Sequence, residues 1–305
     1  MTRHPVQLLI TDLDNTLYDW VSYFVPALYD MVEVVSATLG VPREHLLAEL
    51  RAIHQHYGST EHPFALLEAP SVTTRFPKAT LLQIKEHLRP ALEVFKQRRA
   101  QNLQLYPTVE ETLRQIRSQG TPILAYTEAA VYNVAHRMRV LDLWAYVEGL
   151  YAPEGRSDLA LEFGFTDPLE RIHLLPPGHR KPDGEVLQTI CQEAKVKPID
   201  ALYVGDSITR DVTMGRQAGL QVAWAKYGTI HSQDEWDKLV RVTHWTAADV
   251  EQEARLRIQH ADVQPDCSLN QFKDLTEHFE FVPLSDPHAA PKSGSRGRSS
   301  AVPRN

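Results

Sequence analysis

Disulfides, membrane spans and a basic face are all missing from this chain. Its 305 residues include two cysteines, Cys191 and Cys267, too few and too far apart for a disulfide framework. Two reduced thiols in a cytoplasmic protein are expected. No stretch approaches the roughly 20 apolar residues of a membrane helix. The apolar run Val6 to Ile10 is too short for a signal-peptide core and leads into Thr11-Asp12 rather than a small-residue cleavage site, so the cytoplasm is the expected location. The net charge of -7 and pI near 6.1 argue against nucleic acid as the main partner. Fourteen histidines bring no zinc spacing such as HExxH. His54 and His56, at i and i+2, do not share a helical face. There is no internal repeat. What remains is an ordinary soluble composition, 43% hydrophobic and 23% charged.

Val6 to Thr11 reads as a buried strand, apolar and closed by polar turn formers. From Trp20 to Leu39, Val21, Phe24, Val25, Leu28, Met31, Val32 and Val35 recur at helical spacing, and Gly40 supplies the stop. Pro42 opens a second helix to about His56, ending before Gly58. Ser59 to Pro77 reads as irregular, broken by Pro63, Pro70 and Pro77. A helix from Ala79 to about Gln101 follows, kinked or divided at Pro90. Thr108 and Glu111 have the spacing of a capping box for a helix ending at Gly120. Beyond it come a strand at Pro122 to Tyr126, a helix from about Ala129 to Arg139, and a loose proline- and glycine-containing stretch from Gly149 to Arg180. A helix spans Pro182 to Lys195, with proline in the favoured first position. A strand at Ala201 to Val204, a helix at Thr209 to Ala218 and a strand at Gln221 to Ala225 complete the series. This alternation predicts an α/β fold, a parallel sheet covered by helices and interrupted after its first strand by an inserted α-helical module. The core is expected over residues 1–17 and 103–284 and the insert over 18–102. The tail at 285–305, rich in Pro, Ser, Gly and Arg, is expected to be disordered.

Two acidic clusters follow strands. Asp12-Leu13-Asp14-Asn15-Thr16 ends the first, and Gly205-Asp206-Ser207-Ile208-Thr209-Arg210-Asp211 follows Ala201 to Val204. Carboxylates at the carboxyl ends of parallel strands converge in such folds. They repel one another unless a hard cation lies between them, and Mg²⁺ takes oxygen ligands of this kind. Asp12 is placed to attack phosphorus as a carboxylate nucleophile. Asp14, two residues on, is placed to protonate the leaving alcohol and then deprotonate water, with Thr16 expected to hold Asp14. Asp206 is expected to ligate the metal, and Asp211 to reach it directly or through water or else to orient Lys181. Thr127 offers a hydroxyl and free backbone amides at the start of a helix, a ready anion site. Lys181 offers an ammonium able to neutralise both phosphoryl oxygens and Asp12.

These pieces, in this order, resemble the haloacid dehalogenase-like hydrolase superfamily. The resemblance rests on Asp12-Leu13-Asp14-Asn15-Thr16-Leu17, Thr127, Lys181-Pro182-Asp183, and Gly205-Asp206-Ser207 with Asp211, across roughly residues 6 to 225. It implies a Rossmann-like core, a Mg²⁺ cofactor, Asp12 as nucleophile and Asp14 as general acid/base. The metal set is Asp12, Asp14 through its carbonyl, Asp206 and Asp211, with Thr127 and Lys181 on the phosphoryl group. The insert resembles the family's C1 cap, which closes over the site and carries much of the selectivity. His54, His56, Tyr57 and His62 lie in it; they are expected to be exposed polar residues, with substrate contact the alternative. Two positions depart from the family pattern. Glu128 stands where Asn is frequent, and is expected to point away from the phosphate or to bond the substrate. Gly184 stands where proline is common. The expected activity is Mg²⁺-dependent hydrolysis of a small phosphorylated metabolite through an aspartyl-phosphate, with phosphoglycolate, nucleoside monophosphates and sugar phosphates as candidates. A phosphomutase, a 2-haloacid dehalogenase and a non-catalytic binding protein are the alternatives. Asp14 speaks against the dehalogenase, whose leaving halide needs no acid.

Overall fold

The computed structural model describes residues 5–62, 64–155 and 169–284. The tail expected to be disordered lies outside them. Seven parallel strands form one sheet: β1 (Leu8–Thr11), β2 (Ile123–Tyr126), β3 (Gly149–Pro153), β4 (Ile172–Leu175), β5 (Ala201–Gly205), β6 (Gln221–Trp224) and β7 (Cys267–Ser268), in the order β4-β3-β2-β1-β5-β6-β7. The central strands are buried throughout because helices cover both faces, which is why they read as continuous apolar runs. The chain runs outward from β1 through β2 and β3 to β4, then returns to place β5 on the other side of β1. That reversal creates a crevice at the carboxyl ends of β1 and β5, where ligands bind in open α/β sheets. Thr11 lies level with Val204 of β5 and Ala125 of β2, so the residues that follow these strands meet at one point.

Between β1 and β2 the described residues form helices and turns. The helix α1 (Trp20–Leu39) ends at Gly40 in the left-handed conformation (φ 68°), as its sequence predicted. The helix α2 (Arg43–Tyr57) follows. Pro90 divides the later stretch into helices Leu81–His87 and Arg89–Asn102. The reading of Ser59 to Pro77 as irregular is corrected: Ala65–Glu68 and Pro70–Arg75 are short helices, Pro70 starting the second rather than breaking it.

Three further local readings are corrected. Thr108 makes no capping hydrogen bond; it sits at φ 70°, ahead of the helix Val109–Ser118, and its hydroxyl accepts from Lys273 N. Asp183, not Pro182, starts the next helix, Gly184–Glu193, accepting from Glu185 N. The loose stretch from Gly149 to Arg180 contains β3 and β4. β4 is the sheet edge, with His173 and Leu174 exposed, so it lacks the apolar run that marks a central strand. Residues 156–168 lie outside the described part.

After β6 the chain forms two helices, Gln233–Val242 and Ala247–Gln259, before adding β7. The first packs on both α1 and α2. Tyr29 Oη donates to Lys238 O, Gln55 Nε2 to Trp245 O, and Thr60 bonds His244. The helical insert therefore rests on a C-terminal segment of the core chain.

Candidate active site

Asp12 leaves β1 with its amide bonded to Val204 O at 2.8 Å, which fixes its backbone against β5. The chain then turns tightly: Leu17 N bonds Leu13 O, and Asn15 adopts φ 58° while its side chain accepts from Trp20 N. Asparagine tolerates this left-handed geometry better than most residues. The turn packs so closely on the segment after β6 that a Cβ on Gly228 would lie 1.7 Å from Asn15 O. Thr16 was expected to hold Asp14; its hydroxyl donates instead to Asp12 Oδ2 at 3.1 Å. The shift is geometric, since Thr16 sits one turn along from Asp12, at i+4.

Asp206 follows β5, and its carbonyl accepts from Trp224 Nε1. Residues Ile208–Val212 then form a π-helical turn, a distortion frequent at functional sites. It folds Asp211 back against the strand end so tightly that a Cβ on Gly205 would lie 2.4 Å from Asp211 Cγ. Asp211 Oδ1 accepts from Lys181 Nζ (2.9 Å) and Tyr203 Oη (2.9 Å), and Oδ2 accepts from Ser207 N (3.0 Å). Lys181 Nζ also donates to Asp12 Oδ1 at 2.5 Å. The lysine, 8% exposed, thus joins the two acidic clusters.

Asp12, Asp206 and Asp211 bring carboxylate oxygens within 4.8 Å of one another. Burial pushes the Asp12 carboxyl up to about 7 against the pull of Lys181, with Asp211 and Asp14 adding repulsion. Burial, then repulsion from Asp211 and Asp12, drives Asp206 well above the carboxylate range. Burial opposes the Lys181 charge, but Asp12 and Asp211 outweigh it and hold the ammonium well above its ordinary value. One ammonium against three carboxylates leaves a negative excess that a hard cation relieves, and an all-oxygen donor set suits Mg²⁺. Asp211 already receives three donors, against two on Asp12, so Asp12 and Asp206 fit best as direct ligands.

Thr127 follows β2 and is 1% exposed. Its amide donates to Tyr151 O, so the expectation of a free amide there is corrected. Its hydroxyl accepts from Ala129 N. Glu128 neither points away nor waits for substrate. Its Oε1 accepts from Lys181 N and its Oε2 from Arg210 Nη1, both at 3.0 Å. Arg210 also approaches Glu253 (3.7 Å) and covers the Trp245 ring at 4.7 Å. The Arg210 guanidinium neutralises this carboxylate at the edge of the acidic cluster.

The family model for haloacid dehalogenase-like hydrolases matches residues 6–219. The chain belongs to that family. Among curated relatives, N-acetylmuramic acid 6-phosphate phosphatase of Pseudomonas putida is 39% identical over 77 residues, which is 23% of this chain and 34% of the relative. The chain thus aligns with about a third of that relative's length. Phosphoglycolate phosphatase of Vibrio vulnificus is 24% identical over 76% of this chain and 89% of its own. The fold is similar to that of 2-haloacid dehalogenase from Pseudomonas syringae pv. Tomato, at TM-score 0.53 and 22% identity over 89% of this chain and 97% of that one.

In this hydrolase a cavity of about 920 Å³ opens over Asp12, Asp14, Thr127, Lys181 and Asp206. The family resemblance implied that the helical insert carries selectivity, yet among the described residues none of 18–102 lines this cavity. The far wall comes from the segment after β6, with Trp236, Trp245, Arg257 and His260. Of the insert residues singled out in the sequence, His54 and His62 are buried, not exposed. His54 donates from Nδ1 to Val242 O, and His62 approaches Glu68. Sequence reading also missed Arg137, which is fully buried. The available signal was its position among Val134, Ala135 and Met138, on the apolar face of the helix Val131–Val140.

Proposed function

We propose that this hydrolase is a phosphatase acting on phosphate monoesters, with Asp12 as nucleophile. One observation carries the reading: Lys181 Nζ joins Asp12 to Asp211 while Asp206 stands alongside, which puts a nucleophile, a phosphoryl counter-charge and a cation site within a few ångströms. Asp12 attacks phosphorus and the ester oxygen departs with a proton from Asp14. Asp14 then takes a proton from the water that hydrolyses the aspartyl-phosphate. Thr127 and Lys181 donate to the phosphoryl oxygens. Mg²⁺ held by Asp12, Asp206 and the Asp14 carbonyl, with Asp211 supporting from behind through Lys181 and Ser207, would neutralise charge between the anionic nucleophile and its anionic substrate. Burial raises the Asp14 carboxyl, Arg137 opposing, which suits a proton donor.

The relatives named as phosphatases support this chemistry. The cavity supports a leaving group larger than a two-carbon acid. Trp224, Trp236 and Trp245 line it, and aromatic faces favour a ring, such as a sugar or a nucleoside. Residues 18–102 act as a cap through the segment that they cover. The test is phosphate release from a panel spanning phosphoglycolate, sugar phosphates, amino-sugar phosphates and nucleoside monophosphates, with Mg²⁺ and with EDTA. Turnover of ring-bearing esters that EDTA abolishes is expected. Metal-independent halide release from 2-haloacids, without phosphate release, would replace this reading with the dehalogenase.

A further inference from the structure

Arg137 is fully buried, on a helix that follows β2. A guanidinium taken out of water is costly unless carboxylates and hydrogen bonds surround it. Two carboxylates do so, from opposite sides of the chain. Its Nη1 donates to Glu61 Oε1 of the helical insert at 2.7 Å, and its Nη2 donates to Asp14 Oδ2 at 3.4 Å. The rings of Tyr18 and Tyr23 flank it, each 5.7 Å away. Asn133, four residues earlier on the same helix, donates from Nδ2 to Glu61 O at 3.3 Å and so ties the insert's backbone to the helix that carries the arginine.

We propose that Arg137 is a positioning residue for Asp14, itself held in place by Glu61 of the helical insert. The fork of the guanidinium explains the residue type. Separate Nη atoms reach separate carboxylates in a fixed plane, which the single ammonium of lysine does not reproduce. The contact engages one oxygen of Asp14 only. Asp14 Oδ1 is buried, with the Tyr18 hydroxyl acting on the same carboxyl, and Asp14 lines the cavity. Burial of Oδ1 and the hold on Oδ2 together fix the carboxyl plane at the cavity wall, where the ester oxygen must meet it. This gives the insert a catalytic purpose although it does not line the cavity: its Glu61 sets the arginine that sets the proton donor.

The inference rests on Asp14 as proton donor, and the test separates the two. A simple alkyl phosphate needs a proton on its leaving oxygen, whereas 2,4-dinitrophenyl phosphate departs as a stable anion and does not. Rates on both esters are measured for wild type, Arg137→Lys and Glu61→Gln, with thermal unfolding as a check on folding. For Arg137→Lys, kcat/KM on the alkyl phosphate is expected to fall by about 100-fold, the lower end of what general acid catalysis contributes. For the dinitrophenyl ester, kcat/KM is expected to stay within about threefold, since it reports only formation of the aspartyl-phosphate, a step that needs no proton for this leaving group. Glu61→Gln, nearly isosteric, should shift the same ratio in the same direction by about tenfold, the effect of a weakened charged hydrogen bond. If Arg137→Lys fails to fold, Glu61→Gln alone decides. Equal losses on both esters, or no loss on either, would overturn the positioning role. Wild-type protein inactive on both esters would overturn the phosphatase reading instead.

Discussion

Glu128 holds Lys181 by its backbone. The Oε1 atom accepts Lys181 N at 3.0 Å, while the ammonium of the same lysine reaches Asp12 at 2.5 Å. The residue that departs from the family pattern thus anchors the lysine proposed to bind the phosphoryl group, and Arg210 balances it from the second acidic cluster.

Removing that anchor should impair catalysis more than folding. Glu128→Ala leaves Lys181 N without its acceptor and Arg210 with Glu253 as its remaining carboxylate. Hydrogen bonds to charged groups are worth about 1.5–3 kcal/mol, so kcat/KM should fall by roughly 10- to 100-fold. Glu128→Gln, which keeps an acceptor oxygen, should lose less. Steady-state kinetics with the best panel substrate check both; unchanged kinetics for Glu128→Ala would remove the anchoring role.

Gly228→Ala should be disruptive despite its distance in sequence from the nucleophile. A methyl group there meets Asn15 O at 1.7 Å, and the acceptor is backbone, so the Asp12 to Thr16 turn must move. Thermal unfolding should show destabilisation of about 3 kcal/mol, at the upper end for overpacking. Phosphate release should drop with it. A variant of wild-type stability and activity would contradict the close packing of these two segments.

Stability should weaken on mild acidification through the seam between insert and C-terminal segment. Burial is the chief cause that lowers His54 from 6.5 to about 4, and the same holds for His244. The unfolded chain binds those protons first, so stability is complete above 6.5, declines as pH falls toward 4, and levels off below that. Urea midpoints across pH 4 to 7.5 measure the slope. His54→Gln should lower stability at pH 7 while flattening that slope; an unchanged slope would dissociate His54 from the effect.

Trp236→Ala and Trp245→Ala should separate substrates by leaving group. Loss of a ring contact should raise KM for ring-bearing esters by about 5- to 10-fold, consistent with roughly 1 kcal/mol per aromatic contact, and leave 2,4-dinitrophenyl turnover number little changed. Equal KM values across the panel in both variants would assign selectivity elsewhere.

The sequence pattern revealed what depends on neighbours along the chain. β1, β2 and β5 are short apolar runs, and each delivers its polar residues at the carboxyl end of a buried strand, so Asp12, Thr127 and Asp206 were readable from position alone. Gly40 and Pro90 likewise act locally. What escaped is set by distant partners. β4 is an edge strand with exposed His173 and Leu174, and lacks the apolar signature. The left-handed Thr108 is fixed by a contact to Lys273, 165 residues away. The Glu61–Arg137–Asp14 chain spans separations of 76 and 123 residues, which no local periodicity encodes. The role of Glu128 depended on Arg210, visible within the second cluster but unpaired until the chain folds.

The nucleophile is the centre of the functional reading, and Asp12→Asn tests it most directly. The amide is nearly isosteric, sits on a strand fixed by Val204, and removes the attacking carboxylate. Phosphate release in Mg²⁺ from the best panel ester should fall by at least about a thousandfold, as for loss of a covalent nucleophile, with thermal unfolding still cooperative. Turnover within about tenfold of wild type, in protein purified free of contaminating phosphatase, would contradict attack by Asp12 and the mechanism built on it.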